Sequence, residues 1–232
     1  PLTVETIPFD DGPTYALLAR GETIGCFQLE SPGVRTLLRR YRPRCLDDVM
    51  AVISLFRPAP LRGGLKETFL RRRAGLEPVV YLLADLDPAL RRRVEKILGE
   101  TYGVILYQEQ VLRLLSEVGG LPPGEAEAIR RALPEVQDEA ERQELRRRFL
   151  EGAVGQGLSE GQAGQVWELL AGFTGYAFCK AHAASYAIVA YRAAYLKANH
   201  PAEFLAAAIE NEGGYYPSAA YAEEARRRGL RL

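Results

Sequence analysis

The chain has 232 residues, 47% of them hydrophobic and 26% charged, with a formal net charge of +0. That length holds one large domain or two small ones, and that apolar content builds a core, which excludes a disordered type. Zero net charge excludes a surface that is basic all over. The three separated cysteines, Cys26, Cys45 and Cys179, match neither a disulfide framework nor a zinc spacing, which suits a reducing cytosol.

No apolar run reaches the length of a membrane span and no signal-peptide pattern is present, so a cytoplasmic protein without membrane contact is expected. The chain opens at Pro1 and Met50 is its only methionine, which suggests a piece of something longer or a processed product. Its lysines are Lys66, Lys96, Lys180 and Lys197; the other cations are arginines, whose planar forks suit phosphate and carboxylate. A GC-rich genome gives the same arginine bias without any function.

In chain order, residues 1–30 read as a tail, a short helix and an extended piece. Pro13 suits a first helical turn and Gly21 a stop, and Thr23 to Leu29 reads as a short strand. Ser31-Pro32 opens a helix to about Arg40. Leu46 to Leu55 is a buried helix ended by the Phe56-to-Pro60 turn, because a residue before proline avoids the helical region. A helix from Leu65 to about Ala74 ends in Arg71-Arg72-Arg73, either a solvated face or a phosphate-backbone contact. Asp87-Pro88 starts a helix to Leu98, and Thr101 to Tyr107 reads as extended.

Gln108-Glu109-Gln110 opens an amphipathic helix with Val111, Leu112, Leu114, Leu115 and Val118 inward, stopped by Gly119-Gly120. The next helix, to Ala132, carries Arg130 and Arg131, and Pro134 interrupts. Residues 137–155 read as a charged helix with Leu145, Phe149 and Val154 facing in, followed by a helix from Glu160 to Ala171 that contains Trp167. A long helix begins near Lys180. Pro201 starts another, to about Glu210, and a last one runs from Ala219 to Arg228. The fold class is mainly α: an irregular multi-helix arrangement with a few short β-strands, read as one domain.

The chemistry concentrates at the long helix. His182, Tyr186, Val189 and Ala193 share one of its faces at three- and four-residue steps. Lys180 stands at its entrance, where backbone N–H groups favour anions. A cation, an imidazole and a phenol there suit an anionic, flat ligand such as a nucleoside triphosphate. A core helix with a satisfied histidine and a capping lysine explains the same residues. A two-metal nucleotidyl site needs two or three convergent carboxylates. Asp85-Leu86-Asp87 is better read as a cap, Asp10-Asp11 as tail, and Asp47-Asp48 as a favourable pairing with a helix dipole. No phosphate-binding Gly-x-x-x-x-Gly-Lys loop and no G-x-S-x-G elbow occurs. A Cys179/His182 nucleophile pair, three apart on a helix, lacks an orienting acid.

Several segments resemble the C-family of bacterial replicative DNA polymerases, typified by the alpha subunit of DNA polymerase III. They are Cys26-Phe27-Gln28-Leu29-Glu30-Ser31, Leu55-Phe56-Arg57-Pro58-x-Pro60-Leu61, the run Thr101 to Val111, Ile129-Arg130-Arg131-Ala132, Gly175-Tyr176-x-Phe178-x-Lys180-x-His182, Ala187 and Tyr191, and Leu196-Lys197-Ala198-x-His200-Pro201-Ala202-Glu203-Phe204. They keep the family's order and cover most of the chain.

The resemblance implies a fingers domain over residues 31–232, with residues 1–30 as the palm-to-fingers junction and the start of the fingers. It implies that three catalytic palm aspartates, which bind Mg2+, lie before Pro1, so that this piece has no catalytic residue, metal or polymerase activity of its own. Arg130 and Arg131 would contact the triphosphate of the incoming deoxynucleotide. His182 would sit by its sugar as a gate against a 2′-hydroxyl, Lys180 and Tyr186 would line the pocket, and Arg57, Gln108 and Gln110 would support it. Implied partners are template-primer DNA, deoxynucleoside triphosphates, the other polymerase domains and, through regions elsewhere, a sliding clamp and other replisome subunits.

One departure stands out. The family follows its Arg-Arg pair with Ala-Met-Gly and lysines, whereas this chain has Ala132-Leu133-Pro134-Glu135-Val136-Gln137. That points to a divergent or error-prone paralogue with weaker triphosphate or template contacts. Two rivals remain at this point: a non-catalytic paralogue binding DNA or protein in a repair assembly, and an unrelated helical enzyme using Cys179 and His182.

Overall fold

Short-range chemistry sets where most helices start. The structure, a computed structural model, describes residues 3–57, 64–174, 177–212 and 214–231, without the side chains of 173 and 174. Asp11 precedes the Gly12–Arg20 helix and its carboxylate accepts the N–H of Thr14, with proline in the first turn. Asp87 does the same for the Pro88–Leu98 helix, accepting the N–H groups of Ala89 and Leu90. Each cap satisfies donors that have no partner within the helix. Gly21 ends the first helix at φ +64, a left-handed turn that glycine adopts without strain. Further helices span Pro32–Tyr41, Leu46–Leu55, Leu65–Arg73, Gln108–Glu117, Pro123–Ala132, Glu139–Gly155, Glu160–Thr174, Lys180–Asn199, Pro201–Asn211 and Ser218–Arg227. Short 3-10 turns occupy Val4–Thr6 and Gly99–Thr101.

The fold is mainly α. The expected strands reduce, among the described residues, to one isolated bridge between Tyr107 and Phe178. Thr23 to Leu29 is a succession of turns instead. Its polar groups are tied to side chains: Thr23 Oγ1 donates to the Leu29 carbonyl at 2.5 Å, and Lys197 Nζ donates to the Ile24 carbonyl at 2.6 Å. A backbone held that way has no ladder to join.

The chain divides into two compact units, Pro1–Pro58 with Ala181–Leu232, and Ala59–Lys180. The middle unit packs the Pro88–Leu98, Gln108–Glu117, Pro123–Ala132, Glu139–Gly155 and Glu160–Thr174 helices around a core that includes Leu90, Val94, Leu114, Ile129, Phe149 and Trp167. The Phe149 and Trp167 rings lie 5.6 Å apart. Two glycines permit the closest approach there. A Cβ on Gly152 would run into the carbonyl of Gly119, and one on Gly119 would meet the Leu115 carbonyl at 2.5 Å.

The Glu139–Gly155 helix corrects an expectation. Val154 is exposed, and Ala153 faces in with Phe149. Steps of four stay on one helical face, whereas the five-residue step from Phe149 to Val154 does not.

In the terminal unit Leu17, Leu18, Leu29, Leu38, Val49, Val52 and Leu55 are buried. The Lys180–Asn199 helix turns Ala183, Ala187, Ala190, Tyr191, Ala194 and Lys197 inward. The small alanines let it pack closely, and the Tyr191 hydroxyl accepts the backbone N–H of Asp11 at 3.1 Å.

Candidate nucleotide-binding site

The residues singled out from sequence fall on both units. The middle unit holds Gln108, Gln110, Arg130, Arg131 and Lys180; the terminal unit holds Arg57, His182 and Tyr186.

In the middle unit Gln110 is a buried brace. Its Oε1 accepts the N–H groups of Leu106 and Tyr107 at 2.9 and 3.0 Å, and its Nε2 donates to Thr101 Oγ1 and the Ile97 carbonyl. The turn before the Gln108–Glu117 helix is thereby fixed. The backbone N–H of Gln108 donates to the Phe178 carbonyl, and that of Phe178 to the Leu106 carbonyl, each at 2.9 Å. These two bonds bring residues 106–108 alongside the segment that leads into Lys180.

Between Gln108 and Gln110 projects Glu109, which sequence reasoning passed over. Both of its oxygens accept the backbone N–H of Lys180, at 2.9 and 3.0 Å. The N–H expected to favour a bound anion is thus met by the protein's own carboxylate, because a helix N-terminus attracts negative charge from any source. Lys180 Nζ donates to Glu100 at 2.6 Å and lies 5.5 Å from the centre of the Tyr107 ring. Cys179 precedes the helix, and its thiol points at Glu109 from 3.9 Å.

Arg130 and Arg131 converge on one carboxylate. Arg130 grips Glu127 with Nε and Nη2 at 2.7 and 2.8 Å, and Arg131 meets it through Nε at 2.6 Å. The Arg130 side chain is 17% exposed and that of Arg131 75% exposed. The two guanidinium groups hold the Glu127 carboxyl down at about 2, well below its ordinary 4.5. The Arg130 guanidinium is raised above its usual range, by Glu127 first and, at longer reach, by the charge of Glu109. Arg130 thus feels, at longer reach, the charge of the carboxylate that meets the Lys180 N–H. Glu127 was legible in the sequence as the i, i+3 and i, i+4 neighbour of the pair. Glu109 carried no such signal.

The Arg71–Arg73 run behaves differently. Arg72 is mostly buried, pairs with Glu77 and donates to the carbonyls of Val80 and Tyr102, so it braces the fold and does not offer itself to a phosphate backbone.

In the terminal unit His182 is exposed, Tyr186 is half-buried and Val189 is 49% exposed, while Ala183, Ala187 and Ala190 face the core. The face expected to meet a ligand is the outer face of its helix, and His182 on it is not buried. The His182 and Tyr186 rings lie 4.0 Å apart, and Tyr186 meets the edge of Phe27 at 5.2 Å. Arg57 is partly buried and donates through Nε to the Ser54 carbonyl at 3.0 Å, which ties it to the end of its own helix. Residues 58–60 of the proline turn lie outside the described residues.

Among the described residues no three His, Cys, Asp or Glu side chains gather as a metal site. The acidic pairs are otherwise engaged. Asp11, expected in a tail, caps a helix, as does Asp87. Asp48 accepts from the Arg44 N–H and the Tyr41 hydroxyl. Among the same residues no helix is long and apolar enough to cross a membrane.

Residues 1–157 match the finger domain of the bacterial DNA polymerase III alpha subunit. The chain belongs to that family. It is 41% identical over 229 residues to an error-prone DNA polymerase of Symbiobacterium thermophilum, covering 98% of this chain and 20% of the relative. The DNA polymerase III alpha subunits of Aquifex aeolicus and Thermus aquaticus are 40% and 42% identical, each covering about nine tenths of this chain and 17% of the relative. The chain thus spans at most one fifth of the length of these relatives. Its identity to the error-prone enzyme lies between its identities to the two alpha subunits.

Proposed function

We propose that this fingers domain forms the nucleotide-binding wall and part of the template path of a DNA-directed DNA polymerase acting in the cytoplasm. The observation that carries the reading is the pair of neighbouring guanidinium groups, Arg130 and Arg131, gathered on Glu127 with Arg131 open to solvent. Two guanidinium groups on one carboxylate keep N–H donors to spare. A triphosphate is the matching partner, because fixed guanidinium groups stabilise charge that builds on phosphate oxygens during transfer. The resemblance assigns His182 and Tyr186, on the terminal unit, to a nucleotide's sugar, where an imidazole beside C2′ would exclude an added hydroxyl by bulk. Gln110 and Gln108 act one step back, holding the turn that aims Glu109 at Lys180, and Arg57 steadies the end of its own helix. In this reading residues 1–30 join the palm to the fingers, which occupy 31–232.

Polymerisation by this family's chemistry needs Mg2+ held by carboxylates, and the residues of this chain do not fit that role. Asp11 and Asp87 are spent on helix caps, and no acidic cluster forms among the described residues. The domain alone is therefore proposed to bind and not to catalyse. Its expected partners are template-primer DNA, deoxynucleoside triphosphates and the remaining polymerase domains, with a sliding clamp and other replisome subunits engaging elsewhere.

The deciding experiment is steady-state kinetics of the intact polymerase with Arg130→Ala and, separately, Arg131→Ala. A charge-assisted hydrogen bond to phosphate is worth about 1.5–3 kcal/mol, so the apparent KM for deoxynucleotides should rise by roughly ten- to a hundredfold. Unchanged KM and turnover in both variants would refute the triphosphate assignment.

A further inference from the structure

We propose that Phe27 is a positioning residue that holds Tyr186 against His182, and so sets how well the polymerase tells deoxyribonucleotides from ribonucleotides. The inference rests on the reading of His182 as the group beside the sugar.

The Thr23–Glu30 loop is braced well beyond what a surface connection needs. Cys26 and Leu29 are fully buried. Thr23 Oγ1 binds the Leu29 carbonyl at 2.5 Å, the Gly25 N–H donates to Glu30 at 2.7 Å, and buried Lys197 donates to the Ile24 carbonyl at 2.6 Å. Gln28 adopts φ +60, a left-handed conformation that side-chain-bearing residues enter only when their surroundings impose it. Between the buried Cys26 and the strained Gln28 the loop presents Phe27, 40% exposed. The ring stands on a rigid mount, partly out of the core. What it does touch is Tyr186, edge to face, with ring centres 5.2 Å apart and planes at 74°.

Tyr186 lies one helical turn beyond His182, and their ring centres are 4.0 Å apart. A half-exposed tyrosine on a helix has alternative rotamers open to it. With Phe27 on one side and His182 on the other, the phenol is confined, and the imidazole keeps a fixed wall behind it. Rejection of a ribose by bulk depends on that confinement, since a histidine able to yield would admit the extra oxygen.

The test measures kcat/KM for deoxy- and ribonucleoside triphosphates in the intact polymerase. Phe27→Leu keeps apolar bulk and removes the ring edge; the preference for deoxynucleotides should fall by about threefold to tenfold, the worth of one aromatic pair. Phe27→Tyr keeps the edge and should retain the preference, which a general loss of packing would not predict. His182→Ala is run beside them. If His182→Ala relaxes the preference and Phe27→Leu does not, the positioning role is wrong and the sugar-facing role of His182 stands. If His182→Ala also leaves the preference intact, the reading beneath the proposal is overturned with it. Loss of preference in Phe27→Tyr would likewise overturn the role assigned to the ring edge.

Discussion

Two ion clusters in this chain each set two cations on one carboxylate, in opposite surroundings, and in the second Arg228 reaches Glu22 as well. In the middle unit Arg130 and Arg131 share Glu127; in the terminal unit Lys197 and Arg228 share Glu224. The first is wet, with Arg131 75% exposed. The second is sealed: Lys197 is 0% and Glu224 10% exposed at the side chain, and the ammonium also donates to the Ile24 carbonyl. Burial pulls the Lys197 ammonium below its usual range, whereas hydrogen bonds from Arg130 and Arg131 push the Glu127 carboxyl down. The difference separates two uses of charge. A sealed cluster has satisfied its own groups and ties residues 24, 197 and 224 together. An open cluster leaves a guanidinium, that of Arg131, within reach of an outside anion.

The comparison is tested most severely at Lys197. Lys197→Met leaves Glu224 buried with only Arg228 beside it, and removing one partner of a buried pair costs about 3 kcal/mol. Denaturant unfolding should show that loss. Adding Glu224→Leu should return much of it, and a double variant as unstable as the single one would break the contrast. Next comes the open cluster, where Arg131→Ala should act on nucleotide KM by the ten- to hundredfold range above, while folding stability moves by under about 1 kcal/mol, as for surface pairs.

Glu127→Gln sharpens the contrast through pH. Glu127 titrates lower in the folded chain than its ordinary 4.5, so the stability it contributes is fully present above about pH 4.5 and is lost as pH falls towards 2. The variant should flatten the acid limb of the stability profile across that window. An acid limb identical to the parent's would show that Glu127 does no such work. The smallest effect is expected at Glu135, which stands exposed in the turn after the arginine helix. Glu135→Lys removes an acid near that cluster and should lower nucleotide KM by about twofold, in keeping with the few tenths of a kcal/mol that exposed charges exchange. No gain in affinity would count against reading that turn as a weakened phosphate contact.

Helix ends were legible wherever the signal is local. Pro13, Gly21, and Asp87 with Pro88 each act on donors or φ angles within a few residues, so spacing alone suffices to read them, whereas Asp11, read as tail, proved to be the cap of the first helix. The Gln108 helix start and the arginine pair with its neighbour Glu127 belong to the same class. Val154 was misread because a charged helix offers few apolar residues with which to phase its face. Thr23–Leu29 was misread because an apolar run cannot reveal that Lys197 and Glu30 will take its backbone groups.

Sequence by itself determined the mainly α architecture, the family, and that His182 and Tyr186 share one helical face, since periodicity, capping and motif order are properties of neighbours along the chain. Only the tertiary structure decided that Glu109 meets the Lys180 N–H, that Lys197 is buried on Glu224, and that Phe27 stands against Tyr186. Those pairs are separated by 71, 27 and 159 positions, and nothing local to either member encodes a partner that only folding brings within reach.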